Sequence, residues 1–510
     1  MSDKKSLFSE EITKGYSFKG DSVLMGCGIL DGEPVDGTQV RAPLKMFNRH
    51  GLISGATGTG KTKTLQGIAE GLSDAGVPVL LMDIKGDLSG LAAAGNPHAK
   101  IDERHQHIGS AWKGSAYPVE LLTLSNEPGA KMRATISEFG PVLLSKILGL
   151  NDTQEGVVAI AFKFCDDHQW PLLDIKDFRA ILQYISGDGK EEVQSNYGLV
   201  STSSVGAIMR RLLELEQQGA SSFFGEISTD VDDLLRLDSE GRGYISTIRL
   251  ADMQSKSKLF STFMLCLLAE IYEKFPERGD SDRPELVIFI DEAHLLFEEA
   301  SKALLNQIET IIKLIRSKGV GIFFCTQLPT DVPDEVLSQL GMKVQHALRA
   351  FTAKDRKSIK KVSENYPISQ FYETDQVLTQ MGIGEALITL LNEKGIPTPL
   401  VHTLLKAPAS RMDVLTEDEI KKLVKSSALV PKYNTEVDRE SAYEILTEKL
   451  IKASEDNKKI EIEEKRTTTQ RTRQTKSTFE KVMASSVTRT FVREVTRGIL
   501  GVLGIKTRSR

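Results

Sequence analysis

Four short runs in this chain are continuously apolar rather than alternating: Gly51-Leu52-Ile53, Val77 to Met82, Leu286 to Ile290 and Val320 to Cys325. Unbroken apolar runs of this length predict strands buried on both faces. Helical spacing follows two of them. Thr64 to Leu72 is periodic after the first, and Leu304, Leu305, Ile308, Ile311, Ile312 and Ile315 form one stripe after the third. Strands alternating with helices predict an α/β fold with a mainly parallel sheet. A further strand is expected at Val344 to Leu348. Two β-like runs, Gly384 to Leu390 and Thr398 to Leu405, are expected to close the sheet edge.

The same pattern divides the chain. Residues 1–45 carry short β-like runs (Ser22 to Leu30, Gln39 to Ala42) and predict a small N-terminal β element. The core is expected in two pieces, 46–87 and 281–407. Between them, 88–280 reads as a mainly helical insertion, clearest near 131–149, 154–167, 204–218 and 258–273, with one strand-like alternation from Gly241 to Leu250. A helical extension is expected over 408–455, with helices near 416–426 and 438–454. Residues 456–477, rich in Lys, Glu, Thr and Arg, have the composition of a disordered linker.

In the last segment, 478–510, Phe479, Met483, Val487, Phe491, Val495, Ile499 and Leu503 recur at every fourth position, with Arg489, Arg493 and Arg497 on another face. That predicts a basic amphipathic helix. Such a helix suits peripheral contact with an anionic membrane, nucleic acid, a partner subunit or its own domain, and the spacing leaves these open.

Composition changes the picture in two respects. The net charge of −5 is uneven: from Lys465 onward there are 12 Lys and Arg against two acids, so the rest of the 510 residues carries −15. A basic tail on an acidic body points toward a polyanionic partner. Cys27, Cys165, Cys266 and Cys325 lie far apart with no C-x-x-C pair, which suits a reduced cytosol and argues against a cysteine zinc site. No apolar run reaches the length of a membrane span, and the first 18 residues lack the apolar core of a secretory signal. A cytoplasmic protein is expected.

The chemistry begins after the first apolar run. Gly55-Ala56-Thr57-Gly58-Thr59-Gly60-Lys61-Thr62 satisfies G-x-x-x-x-G-K-[ST] between a strand and a helix start, the context in which backbone N–H groups cradle phosphates. Gly55 through Lys63 are the candidate nucleotide ligands. Lys61 would reach the β- and γ-phosphates, and the Thr62 hydroxyl would bind Mg²⁺. Asp291-Glu292 ends the third run: Asp291 would hold Mg²⁺ and Glu292 would activate water as general base.

Cys325-Thr326-Gln327 ends the next run, with Gln327 a candidate γ-phosphate sensor. Asp83 and Asp87 read equally well as extra carboxylates near Mg²⁺ or, with Lys85, as a solvated turn. Arg316 is the first candidate for an arginine finger acting on a neighbouring subunit, and Arg349 the second. Asp291, Glu292, Gln327 and Arg316 are expected on one sheet edge. His294 is expected to pack or hydrogen-bond rather than catalyse.

With these residues in view, the chain resembles the HerA/FtsK group of P-loop ATPases. The resemblance runs through G-A-T-G-T-G-K-T, D-I-K-G-D-L-S-G, F-I-D-E-A-H-L-L-F and G-V-G-I-F-F-C-T-Q-L-P-T-D-V-P. It is closer still to the YjgR-type bacterial HerA-like family, through Leu148 to Glu155, Tyr197 to Gln218, Phe223 to Glu226, Gln345 to Lys354 and Pro408 to Met412, and it spans about 20–505. The resemblance implies a RecA-like ASCE core, an oligomeric ring that is a hexamer, ATP and Mg²⁺ as cofactors, and hydrolysis coupled to translocation or remodelling of DNA. It supports Lys61, Thr62, Asp291, Glu292, Gln327 and Arg316 in the roles above.

Only about 50 residues precede the loop, too few for the β-barrel with which HerA resection translocases dock a nuclease, so no nuclease partner is expected. The competing expectations are an ATPase ring acting on protein or at a membrane surface, and a nucleotide-gated scaffold.

Overall fold

The computed structural model describes residues 2–251, 256–279, 281–298, 302–350, 352–435, 437, 439–452 and 455. The linker expected over 456–477 and the basic helix expected over 478–510 lie outside the described residues.

A twelve-stranded sheet organises the chain. In chain order its strands are β1 (Ser22–Leu30), β2 (Glu33–Pro43), β3 (Gly51–Ser54), β4 (Val79–Asp83), β5 (Val119–Thr123), β6 (Ala130–Lys131), β7 (Ile245–Arg249), β8 (Leu286–Ile290), β9 (Val320–Thr326), β10 (Met342–Gln345), β11 (Glu385–Leu390) and β12 (Val401–Leu405). Their spatial order is β2-β1-β12-β11-β10-β3-β9-β8-β4-β7-β5-β6. From β10 to β6 every neighbouring pair is parallel. From β10 outward through β11, β12, β1 and β2 every pair is antiparallel.

The parallel strands are apolar throughout because both faces are covered. In β8, Leu286, Ile288 and Ile290 point into one core with the helical body, while Val287 and Phe289 point into another with the helix after the P-loop. Neither face is left for water, so alternation disappears from the sequence.

The structure corrects the sequence reading of the fold in five places. Residues 1–45 are more than a β element: Ser2–Gly15 forms helix α1, which buries Phe8 and Ile12 on one side and leaves its charges outside. Just past it, the buried Tyr16 hydroxyl donates to Pro399 O at 2.8 Å. The hairpin β1–β2 that follows is part of the main sheet, since β1 pairs with β12. Consequently β11 and β12 are interior strands, and β2 forms the edge.

The segment 88–280 is not a purely appended helical unit. It supplies β5, β6 and β7 to the parallel sheet, beyond β4. The helical body proper comprises Ile136–Leu148, Asp152–His168, Ile175–Ser186, Lys190–Asn196 and Thr202–Gln217, joined by Ser257–Lys274. Its helix starts are set locally: Thr135/Glu138 and Asn151/Gln154 form reciprocal capping boxes. The fourth correction is at β10, which stops at Gln345, so Ala347 and Leu348 lie beyond its carboxyl end.

The segment after residue 407 begins as an extended strap rather than a helix. It lies along helix α2 (Lys61–Asp74), which starts at the P-loop. Glu70 of α2 is buried and accepts Ala409 N at 2.8 Å and Ser410 N at 3.0 Å, and also the Ser410 hydroxyl. Gln66 Nε2 donates to Ser410 Oγ and to Arg411 O, and Lys63 Nζ to Met412 O. On its other side the strap receives Gly95 N and Ser115 N at Ala409 O, and gives Arg411 N to Ala93 O. Helices Glu417–Ser426 and Leu429–Tyr433 follow, and residues 442–452 are helical against the helical body, where Ala442 N donates to Pro171 O.

Candidate functional site

The carboxyl ends of β3, β8 and β9, with β4 beyond β8, bring the candidate residues together. In an open parallel sheet this is the edge at which ligands bind, because loops leave it toward helix N-termini. β3 hands the chain to the P-loop, whose Gly55 N donates to Thr326 O and whose Ala56 N donates to Ala347 O. The loop is thus hung from β9 on one side and from the exit of β10 on the other.

Gly55 has φ +151°, and a Cβ there would lie 2.5 Å from His346 Cβ. Gly58 has φ +78° with nothing within 4 Å of a built Cβ, so its backbone faces open space on the loop. Lys61 is 8 % exposed and donates to Gly55 O at 2.6 Å and Ala56 O at 3.1 Å. Burial, then the charge of Lys85, holds its ammonium below its ordinary range. Lys63, by contrast, sends its side chain to the strap, leaving its backbone N–H as its contribution to the loop.

His346 underpins the loop and was not singled out in the sequence. It is fully buried, its N–H donates to Ser54 O at 2.7 Å, and its Nε2 lies 2.9 Å from Thr64 Oγ1. Burial, then the charge of Lys61, pushes its imidazole down to about 4. The signal available was a lone histidine just past an apolar strand, the ordinary look of a packed core residue.

Asp291 and Glu292 sit at the end of β8. Both are buried, and among the described residues Asp291 Oδ2 has no hydrogen-bond partner. Burial, against the opposing charge of Lys85 and with the repulsion of Glu292, pushes the Asp291 carboxyl up to about 7. An uncompensated carboxylate oxygen beside Thr62's helix and an open glycine backbone fits a hydrated divalent cation next to phosphate. Glu292 adopts φ +46°, an uncommon conformation for a non-glycine residue. Its Oε1 is ion-paired with Lys85 Nζ, and His294 Nδ1 lies 3.3 Å from its Oε2.

The turn after β4 carries features of both of its sequence readings. Asp83 accepts Gly86 N, Asp87 N and Leu88 N at 2.7, 3.2 and 3.1 Å, so it organises the turn. Burial pushes its carboxyl up to about 6 despite the N–H donated by Leu88. Lys85 is exposed, as a solvated turn residue would be, yet the turn delivers its Nζ to Glu292. Asp87 stays in play: its Oδ1 is buried without a hydrogen-bond partner among the described residues.

Gln327 lies just past β9 on the same edge and is exposed. Its neighbour Thr326 donates to Asp331 Oδ2 at 2.6 Å, which fixes the turn that carries Gln327. Arg316 is the residue that the structure separates from the rest. It precedes β9, at the amino edge, beside His50 at the entry to β3, so the expectation of one shared edge fails for it. The reason is topological: a helix crossing between parallel strands returns the chain to their starting edge. Arg349 follows β10 on the carboxyl edge and is exposed, with Nη1 3.5 Å from Thr379 O.

His50 ties the entry of β3 to its neighbours. Its Nδ1 accepts Ile322 N at 3.0 Å, which places the proton on Nε2, and Nε2–H donates to Ile312 O at 2.8 Å. Burial pushes this imidazole down to about 4; the bond to Ile312 O resists and the Arg316 charge assists. The folded pKa lies below the unfolded value, so the neutral ring's contribution is complete above pH ~6.5 and is lost as pH falls through about 4. The stability gap between wild type and His50→Gln is therefore expected to close by about 3 kcal/mol between pH 7 and pH 4. Urea denaturation at several pH values reads it, and a gap independent of pH would refute the assignment.

A glycine loop, a buried Asp-Glu pair on a neighbouring strand and a polar strand end, arranged on one edge of a parallel sheet, define a P-loop nucleoside triphosphatase. The family model for the C-terminal region of HerA-like helicases matches residues 29–508, and the chain belongs to that family of P-loop ATPases. It is similar to the DNA import protein CedB of Sulfolobus acidocaldarius, with 24 % identity over 398 residues covering 78 % of this chain. The chain spans 58 % of the length of that relative.

Its fold is similar to that of the plasmid coupling protein TrwB. The complex of TrwB with the non-hydrolysable ATP analogue ADPNP gives a TM-score of 0.52 at 14 % identity, covering 80 % of this chain and 95 % of TrwB. The TrwB complex with ADP and Mg²⁺ gives 0.52 at 14 %, covering 80 % and 94 %. Among the described residues no helix is long and apolar enough to cross a membrane.

Proposed function

We propose that this ATPase is the subunit of a cytoplasmic homo-oligomeric ring, a hexamer, that hydrolyses Mg²⁺–ATP to move DNA. The observation that carries the hydrolytic part is the placing of Glu292 and Asp291, both buried, on the same edge as Lys61. The backbone from Gly55 to Lys63 would wrap the phosphates, Lys61 would leave its loop carbonyls for the β- and γ-phosphates, and Thr62 with Asp291 would hold Mg²⁺. The cation would neutralise developing charge on the transferred phosphoryl group. Glu292 would take the proton of the attacking water, and Gln327 would read the γ-phosphate from the end of β9.

Arg316, on the opposite edge, would serve only a neighbour's nucleotide, and Arg349 is the alternative finger. Kinship to a DNA import protein supports DNA as the polymer moved. The core is expected in 46–87 and 281–407, with β5, β6 and β7 of the 88–280 segment as its continuation.

The test is phosphate release with and without single- and double-stranded DNA, over a range of salt. DNA is expected to stimulate turnover several-fold, with the effect collapsing between ~50 and ~200 mM salt as phosphate contacts release counterions. Turnover indifferent to DNA at every salt concentration would remove DNA as the substrate while leaving the ATPase intact.

A further inference from the structure

Lys85 occupies a position the hydrolytic scheme leaves without a task. Its Nζ is paired with Glu292 Oε1, yet the two ends of that pair differ: the Lys85 side chain is 36 % exposed and that of Glu292 10 %. The backbone beneath Lys85 is pinned by the three N–H groups that Asp83 accepts, so motion is confined to the flexible lysine stem. Lys85 also lies within electrostatic reach of Lys61 and Asp291, the residues that would surround a terminal phosphate. Burial alone would lower its ammonium; Asp291 and Glu292 outweigh it and hold the group above its ordinary range, so a full positive charge is present.

We infer that Lys85 is a positioning residue that senses the terminal phosphate: it holds Glu292 when the site lacks a triphosphate and exchanges that carboxylate for the γ-phosphate when one binds. The inference rests on the ATPase reading of the site. Lys85 and Lys61 together face Asp291 and Glu292, with Asp87 also within electrostatic reach of Lys85. A γ-phosphate adds negative charge among them, and a compact ammonium on a mobile stem can follow it. Its departure frees Glu292 Oε1, so the water-activating carboxylate becomes available when a triphosphate is present and stays engaged when a diphosphate is.

The experiment is equilibrium titration of the full-length protein with AMP-PNP–Mg²⁺ and with ADP–Mg²⁺, on wild type, Lys85→Met, Glu292→Gln and the double variant. Lys85→Met is expected to weaken AMP-PNP about tenfold or more and to leave ADP within about twofold. Glu292→Gln removes the competing partner, so it is expected to tighten AMP-PNP several-fold with Lys85 present and not with Met at that position. Equal weakening of both nucleotides by Lys85→Met overturns the inference, as does a Glu292→Gln effect that is absent or identical in the two backgrounds. Should Lys85→Met fail to fold, Lys85→Gln takes its place in the same cycle and is read by the same two criteria. Failure of the wild type to bind either nucleotide would instead sink the ATPase reading.

Discussion

Replacing Glu292 by Gln is expected to lower ATP turnover by about 10²–10⁴-fold, the usual worth of a positioned general base, while nucleotide binding survives. Gln keeps the volume and the backbone conformation at φ +46° but cannot accept a proton from water. The P-loop, hung from Thr326 and Ala347, is untouched by the change. Phosphate release and equilibrium binding, run on one preparation, separate the two effects. Turnover within about threefold of wild type would show that another group activates the water, with Asp87, whose Oδ1 is buried without a hydrogen-bond partner among the described residues, the first carboxylate to examine.

The second large effect lies away from the chemistry. Glu70→Ala deletes the acceptor of two backbone N–H groups and a hydroxyl in the strap, and leaves the buried donors of Ser410 and the half-buried Ala409 N–H without that partner. Unsatisfied buried donors of this kind cost about 3 kcal/mol, so amide exchange at Ala409 and Ser410 is expected to accelerate about 10²-fold. Because Lys63 and Gln66 hold the same strap, the loosening should reach Met412 and the first turn of α2. Hydrogen exchange read by mass spectrometry over 406–415 is the measurement. Protection equal to wild type would mean that the contacts of Lys63, Gln66, Ala93, Gly95 and Ser115 secure the strap without Glu70.

How much of this was readable in advance depends on the range of the interaction concerned. The P-loop and Asp291-Glu292 announce themselves because their chemistry needs fixed residue types at fixed local spacing. The parallel strands β3, β4, β8 and β9 are equally plain, since burial on both faces leaves a continuous apolar run. What escaped is what long-range pairing decides. β5 is a five-residue strand whose place beside β7 depends on residues more than a hundred positions away. Tyr16 and Phe8 show their meaning only against Pro399 and Phe371.

The site divides in the same way. Lys85 and Glu292 meet across two strands, β4 and β8, that adjoin in space but lie some two hundred residues apart in the chain. Neither residue carries a local mark of the other. Arg316 was placed on the wrong edge because a helix C-terminus before a strand reads the same whichever edge bears the site; the sheet's direction settles it.

The strand order also sets a timetable. β3 carries the P-loop, yet its two neighbours are β9 and β10, whose partners in register with Gly51 are Phe323 and Met342. A ribosome adding roughly 5–20 residues per second emits β3 roughly 15–55 s before β9 exists. β1 waits longer still, until Leu404 and Leu405 emerge. Throughout that interval an apolar strand and the glycine loop after it stand unpaired, exposed to other nascent chains. A nucleotide cradle of this topology is synthesised among the first segments, yet its strand gains both neighbours only once β9 and β10 have emerged.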